Sequence, residues 1–110
     1  MFSPVFLSTE NQLNKLLKKQ KKFKLSMSIL FTSLWDKHSL KLVELLKRQS
    51  TLNFMSEKKT QTPLYITNSF LMPHSFVIFK SFRIPHLVHL FKDTVRSEYY
   101  LPKIYEELGL

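Results

Sequence analysis

The spacing of apolar residues along this chain switches repeatedly between the extended and the helical period. Val5–Leu7 is a short apolar run suited to a first strand. Thr9-Glu10-Asn11-Gln12 follows, with Thr at the N-cap and Gln at N3, the pattern of a capping box. Leu13, Leu16 and Leu17 then recur at i, i+3, i+4, which predicts a helix to about Lys21. From Phe23 to Trp35 the polar spacers thin out, and Ser28–Trp35 reads as a central strand covered on both faces. Asp36 supplies an N-cap for a second helix, with Leu40, Leu42, Val43, Leu45 and Leu46 buried and Lys47 and Arg48 at its negative end.

Ser50–Thr62 is polar and reads as a connection, carrying Glu57, Lys58 and Lys59, before Pro63 opens a third strand over Leu64-Tyr65-Ile66-Thr67. Met72-Pro73-His74-Ser75 signals a helix start, and Phe76 to Arg83 reads as a short helix that stops before Pro85. His86–Phe91 and Val95–Leu101 are strand-like and separated by Lys92-Asp93-Thr94, a hairpin spacing. Pro102 and Gly109 bracket a terminal helix that offers Ile104, Tyr105 and Leu108 to one face.

The composition bounds what these elements can build. With 110 residues the chain suits one domain with a single core, residues 1–110, and its 44% hydrophobic content offsets chain entropy well enough to fold. Neither apolar stretch reads as a membrane span. Ser26–Trp35 is too short, and Leu64–Phe91 is broken by Asn68, Pro73, His74, Lys80, Arg83 and Pro85, whereas a spanning helix needs about 20 apolar residues. Both are expected to be buried core. The Met1–Leu7 segment lacks the basic start and long apolar run of a secretory leader, and no arginine precedes Arg48, so a transit peptide is not expected either.

There is no cysteine, which excludes a disulfide framework, a thiolate metal site, a cysteine nucleophile and dithiol redox chemistry. Alanine is also absent and Gly109 is the single glycine, while Lys, Leu, Ser and Phe abound. That bias is the one an AT-rich genome imposes, as in an organelle or a virus. It leaves the location open, with the matrix side of a mitochondrion favoured.

The element order β-α-β-α-β-α-β-β-α resembles the thioredoxin family over nearly the whole chain. Ser28–Trp35 is similar to the family's strand ending in Trp before its Cys-x-x-Cys site. Ile84-Pro85-His86-Leu87-Val88 resembles its cis-proline turn and following strand, and Phe91-Lys92-Asp93 its hairpin. The resemblance implies an α/β thioredoxin-like fold, a mixed central sheet of four to five strands with helices on both faces. It also implies that Asp36, Lys37, His38 and Ser39 occupy the redox site, with Asp36 and Ser39 where the two sulfurs belong, opposite a cis Pro85. Such a member is redox-inactive, and no cofactor is expected.

Other chemistry reads as bland. Asp36, His38 and Ser39, with His86 beside the expected cis-proline, have the residue types of an acid, a base and a nucleophile. Asp and Ser at a helix start are more simply caps, and no oxyanion hole accompanies them, so the chain is not expected to be an enzyme. His86 and His89 are three apart on a strand and so face opposite ways, which excludes a metal pair. Phe76, Phe79, Lys80, Phe82 and Arg83 have the aromatic–basic mixture that stacks on unpaired bases, but they fit the core of a short helix better. Tyr99, Tyr100 and Tyr105 suit either a partner contact or the base of the core.

Charge is the most distinctive feature. Seventeen Lys and Arg oppose eight Asp and Glu, for a net charge of +9, which favours anionic partners. Lys15, Lys18, Lys19, Lys21, Lys22 and Lys24 concentrate it at the end of the first helix, as a docking surface for an anionic partner or as a solvated face. The expected function is thus a non-catalytic structural or accessory subunit of a larger, mitochondrial protein assembly, with other protein subunits as partners. The alternatives are an RNA-contacting subunit of a ribosome or other nucleoprotein, its lysines on phosphates, and a structural component of a virus particle.

Overall fold

Thr9 fixes the first helix as the capping box requires. Its Oγ1 accepts from the Gln12 N–H at 3.2 Å, and Gln12 Oε1 accepts from the Thr9 N–H at 3.1 Å, which satisfies two donors that a helix start leaves open. The computed structural model describes residues 2–55, 62–80, 83–91 and 94–110. Strand β1 is Phe2–Phe6 and helix α1 Glu10–Phe23. Leu7, expected at the end of the first strand, lies just beyond it, buried, its N–H donating to the Ile66 carbonyl at 2.9 Å.

The remaining elements are β2 (Ser26–Thr32), α2 (Lys37–Met55), β3 (Thr62–Asn68), α3 (Pro73–Ile78), β4 (His86–Phe91), β5 (Thr94–Tyr99) and α4 (Lys103–Leu108). One mixed sheet takes the order β1-β3-β2-β4-β5. β3 runs parallel to both β1 and β2, while β4 is antiparallel to β2 and to β5. The apolar run at 26–32 is explained by this order. β2 is the middle strand, and residues 27–32 are buried because both faces are covered.

Alternation along β2 divides the apolar mass in two. Ile29 and Phe31 point toward α1 and α3, where they pack with Leu13, Met72, Phe76 and Val88. Leu30 points the other way, to Leu42 and Leu46 of α2 and Ile104 and Leu108 of α4. The single core expected for this length is therefore two cores, separated by the sheet.

Several boundaries differ from the sequence reading. The connection expected over 50–62 is helical as far as Met55, because no glycine or proline after Arg48 stops α2. Glu57, Lys58 and Lys59 lie outside the described residues, as do Phe82 and the expected turn residues Lys92 and Asp93. The third helix starts at Pro73, within its Met72–Ser75 entry signal, but ends at Ile78 rather than at Arg83, and Lys80 takes a left-handed φ of 54° that no helix continues. β5 covers Thr94–Tyr99 rather than 95–101, and Leu101 precedes a cis bond to Pro102. Gly109 caps α4 at φ 74°, where a side chain would be strained.

Candidate functional site

The end of β2 hands the chain to α2 through a short turn held by Ser33 and Asp36. Ser33 Oγ accepts from the Trp35 N–H at 3.2 Å, and the Asp36 N–H donates to the Ser33 carbonyl at 3.2 Å. Asp36 then caps α2. Its Oδ2 accepts from the Ser39 N–H at 2.9 Å and from the Ser39 hydroxyl at 2.8 Å. Ser39 is buried, Asp36 half-buried, and Lys37 and His38 are exposed.

The Ser39 proton is committed to a carboxylate, and no hydrogen bond among the described residues joins Ser39 to His38, so the pair is not arranged as nucleophile and base. Asp36→Ala should therefore cost about 1–2 kcal/mol, at the upper end of cap deletions because a buried hydroxyl loses its acceptor with the cap. Urea unfolding measures it, with Asp36→Asn expected to recover most of the loss.

Opposite this turn, the Ile84–Pro85 peptide is cis, as the resemblance implied. His38 and Pro85 line one cleft of about 450 Å3 together with Arg83, Leu101, Pro102 and Tyr105. The helix start and the proline turn thus meet across one groove. The neighbouring β3–α3 turn is tied to the same end of the sheet. Ser69 N–H donates to the Thr32 carbonyl at 3.1 Å and Ser69 Oγ to Ser33 Oγ at 3.2 Å. Asn68 Oδ1 accepts from the N–H groups of Phe70 and Leu71 at 3.1 and 2.9 Å, which holds that turn open.

These two turns present bare apolar side chains. Trp35 is 81% exposed and Phe70 65%, with Leu34, Leu40 and Leu71 each close to half exposed. Trp35 and Leu40 were expected inside, and they are not, because helical and strand periods mark an apolar face without supplying an element to cover it. Phe70 and Leu71 fall in the Leu64–Phe91 stretch expected to be buried core, and they too are exposed. Only the parallel pairing of β2 with β3, Thr32 opposite Asn68, brings them beside Leu34 and Trp35.

His86 does not join this groove. It pairs with Phe31 across the strands and faces the α1–α3 core, fully buried, stacked on Tyr100 at 4.6 Å between nearly parallel rings. Its Nε2 meets Glu98 Oε1 at 2.8 Å, and the Arg83 guanidinium lies 5.0 Å from the Tyr100 ring. His89 lies on the other face, bonded to Ser28 at 2.7 Å and to Glu107 at 3.1 Å, so the two imidazoles diverge as the strand period requires. Among the described residues no group of three His, Asp or Glu could hold a metal ion. Phe76 and Phe79 pack on Phe31, at 5.0 and 5.4 Å, and belong to the core. Tyr99 and Tyr105 pack against the α2–α4 core.

Burial, above all, lowers the His86 pKa from its ordinary 6.5, while the hydrogen bond and charge of Glu98 oppose that shift. Below pH 6.5 the unfolded chain then binds more protons at this ring than the folded one does. Its contribution to stability is complete above that value and is lost as pH falls through it toward the folded-state pKa. Urea unfolding at pH 7.5 and 5.5 should show this loss, and a smaller one in His86→Phe, which keeps a ring between Phe31 and Tyr100.

The lysine cluster lies at the opposite end of the sheet. α1 ends where β2 begins and Asp36 follows where β2 ends, so about 23 Å of strand separates the two surfaces. Lys15, Lys18, Lys19, Lys21, Lys22 and Lys24 are all exposed. No helix among the described residues is long and apolar enough to cross a membrane.

A mixed five-stranded sheet with helices on both faces and a cis-proline facing a helix start defines a thioredoxin-like α/β protein. No family model matches the chain, and no curated protein matches it in sequence. Solved structures do. A thioredoxin from Nicotiana alata superposes with a TM-score of 0.75 at 14% identity, over 99% of this chain and 91% of that one. A Schistosoma mansoni thioredoxin gives 0.72 at 12% identity, over 97% and 94%. Thioredoxin O2 from Arabidopsis thaliana gives 0.66 at 17% identity, over 96% and 94%. The fold is thus that of a thioredoxin, carried by a chain that has no cysteine.

Proposed function

We propose that this chain is a non-catalytic structural or accessory subunit of a larger protein assembly, docked through the surface around Trp35. The observation that carries the reading is the exposure of Leu34, Trp35, Phe70 and Leu71 on the two turns at the end of the sheet where His38 and Pro85 share a cleft. Exposed aromatic side chains next to a groove are the anchors that protein interfaces use. The helix start beside them holds Asp36 and Ser39, locked to each other as a cap. A surface with the thioredoxin outline and no sulfur can bind a protein without exchanging electrons with it. The AT-rich type of composition favours a mitochondrial setting for that assembly.

Isolation of the tagged native protein at physiological salt, followed by a high-salt wash, tests the reading. A stoichiometric set of proteins that survives the wash in the native chain and is lost in Trp35→Ser supports it, since an apolar contact is insensitive to screening. A stoichiometric RNA released by salt, with no protein retained, overturns it in favour of a nucleoprotein subunit.

A further inference from the structure

The end of α1 combines charge with bare apolar tips in a way that the Trp35 surface does not explain. Lys15, Lys18 and Lys22 fall at i, i+3 and i+7, a single stripe turned away from the inward Leu13, Leu17 and Gln20, and Lys19 and Lys21 flank it. From residue 15 to residue 25 there is no acidic side chain to neutralise them. Phe23, 58% exposed, and Leu25, 47% exposed, protrude between these cations, with Lys22 Nζ 5.4 Å from the Phe23 ring centre.

The protrusion is built rather than frayed. Lys24 takes a left-handed φ of 55°, and the Leu25 N–H donates to the Gln20 carbonyl at 3.0 Å. The buried Gln20 side chain closes the turn by donating to the Leu25 carbonyl at 2.9 Å. The chain therefore leaves the helix on a fixed path that keeps Phe23 and Leu25 outside the core.

We propose that this helix end docks on a lipid bilayer that carries anionic headgroups, the lysines on the headgroups and Phe23 and Leu25 in the interface below them. Charge complementarity selects an anionic partner, and each lysine near such a surface contributes roughly fivefold in partition. The apolar tips select among anionic partners. A nucleic acid can stack on Phe23 but offers nothing to an aliphatic Leu25, whereas the headgroup–acyl boundary accepts both. The surface is independent of the Trp35 rim and lies at the other end of the sheet, so either can fail alone.

Cosedimentation with vesicles of phosphatidylcholine, with and without phosphatidylserine, tests the proposal at physiological salt. Binding is expected only with phosphatidylserine, and replacing Lys18, Lys19, Lys21 and Lys22 by Gln should lower it more than about 100-fold. Phe23→Ser with Leu25→Ser, which leaves the charge unchanged, should lower it about tenfold. A chain carrying Phe23→Trp and Trp35→Phe should be quenched by brominated acyl chains, whereas native Trp35 should not. No binding to the anionic vesicles overturns the proposal. So does binding unaffected by loss of Phe23 and Leu25, and so does a structured RNA that strips the protein from vesicles at equal phosphate concentration.

Discussion

Phe31→Ala is expected to remove about 3–5 kcal/mol of stability, a large part of the roughly 5–15 kcal/mol that holds such a domain folded. The ring sits on the middle strand with no exposed surface. It meets Phe76 edge-on at 5.0 Å, Phe79 at 5.4 Å and His86 at 5.8 Å, so truncation leaves a cavity bounded by three rings from two elements and the segment that follows α3. None can close it alone, because β4 is tied to β2 by its ladder and α3 is anchored by the buried Phe76 and Ser75. Denaturant unfolding should show a lower midpoint with an unchanged slope. Phe31→Leu, which keeps most of the volume, should lose less than half as much.

Trp35→Ala should have the opposite profile. With 81% of its surface exposed, the indole holds little of the fold together, and the unfolding midpoint should move by no more than about 0.5 kcal/mol. Affinity for the protein partner proposed above should fall about 30-fold, the loss typical of a tryptophan at the centre of an interface. Purified partner and calorimetry measure it. Phe70→Ser should reproduce part of the effect, whereas Lys18→Gln, at the far end of the sheet, should change partner affinity little. A Trp35→Ala chain that binds its partner with native affinity would remove the rim from the docking surface.

What could be read from the residues alone was local chemistry. Thr9 and Gln12 announce a helix start because a capping box is made within four residues, and Asp36 before a leucine-rich helix does so for the same reason. Gly109 is legible because only glycine takes its φ without strain. The site was placed by resemblance, on the Trp35-to-Ser39 string and the Ile84-Pro85 turn, and the structure brings His38 and Pro85 to one cleft. The extent of α2 was illegible because Ser, Thr and Asn after Arg48 look like loop residues, although nothing in them terminates a helix. The apolar rim was illegible for a different reason. The turns that carry Leu34 and Trp35, and Phe70 and Leu71, are joined only through a strand pairing that spans more than thirty residues and the Ser33–Ser69 hydrogen bond, and periodicity records which face is apolar without saying what lies over it.

The division of the apolar mass by the sheet bears on how much substitution such a fold can take. Leu46 and Phe76 belong to different cores on opposite faces of the sheet, and losses at such separated positions add with little coupling. A volume change on the α1–α3 side need be compensated only on that side, while the backbone ladder between the layers is indifferent to side-chain identity. Each half can therefore be rewritten on its own schedule without the other losing its fit. Two separately negotiable interiors on one hydrogen-bonded frame thus let very different sequences share one outline.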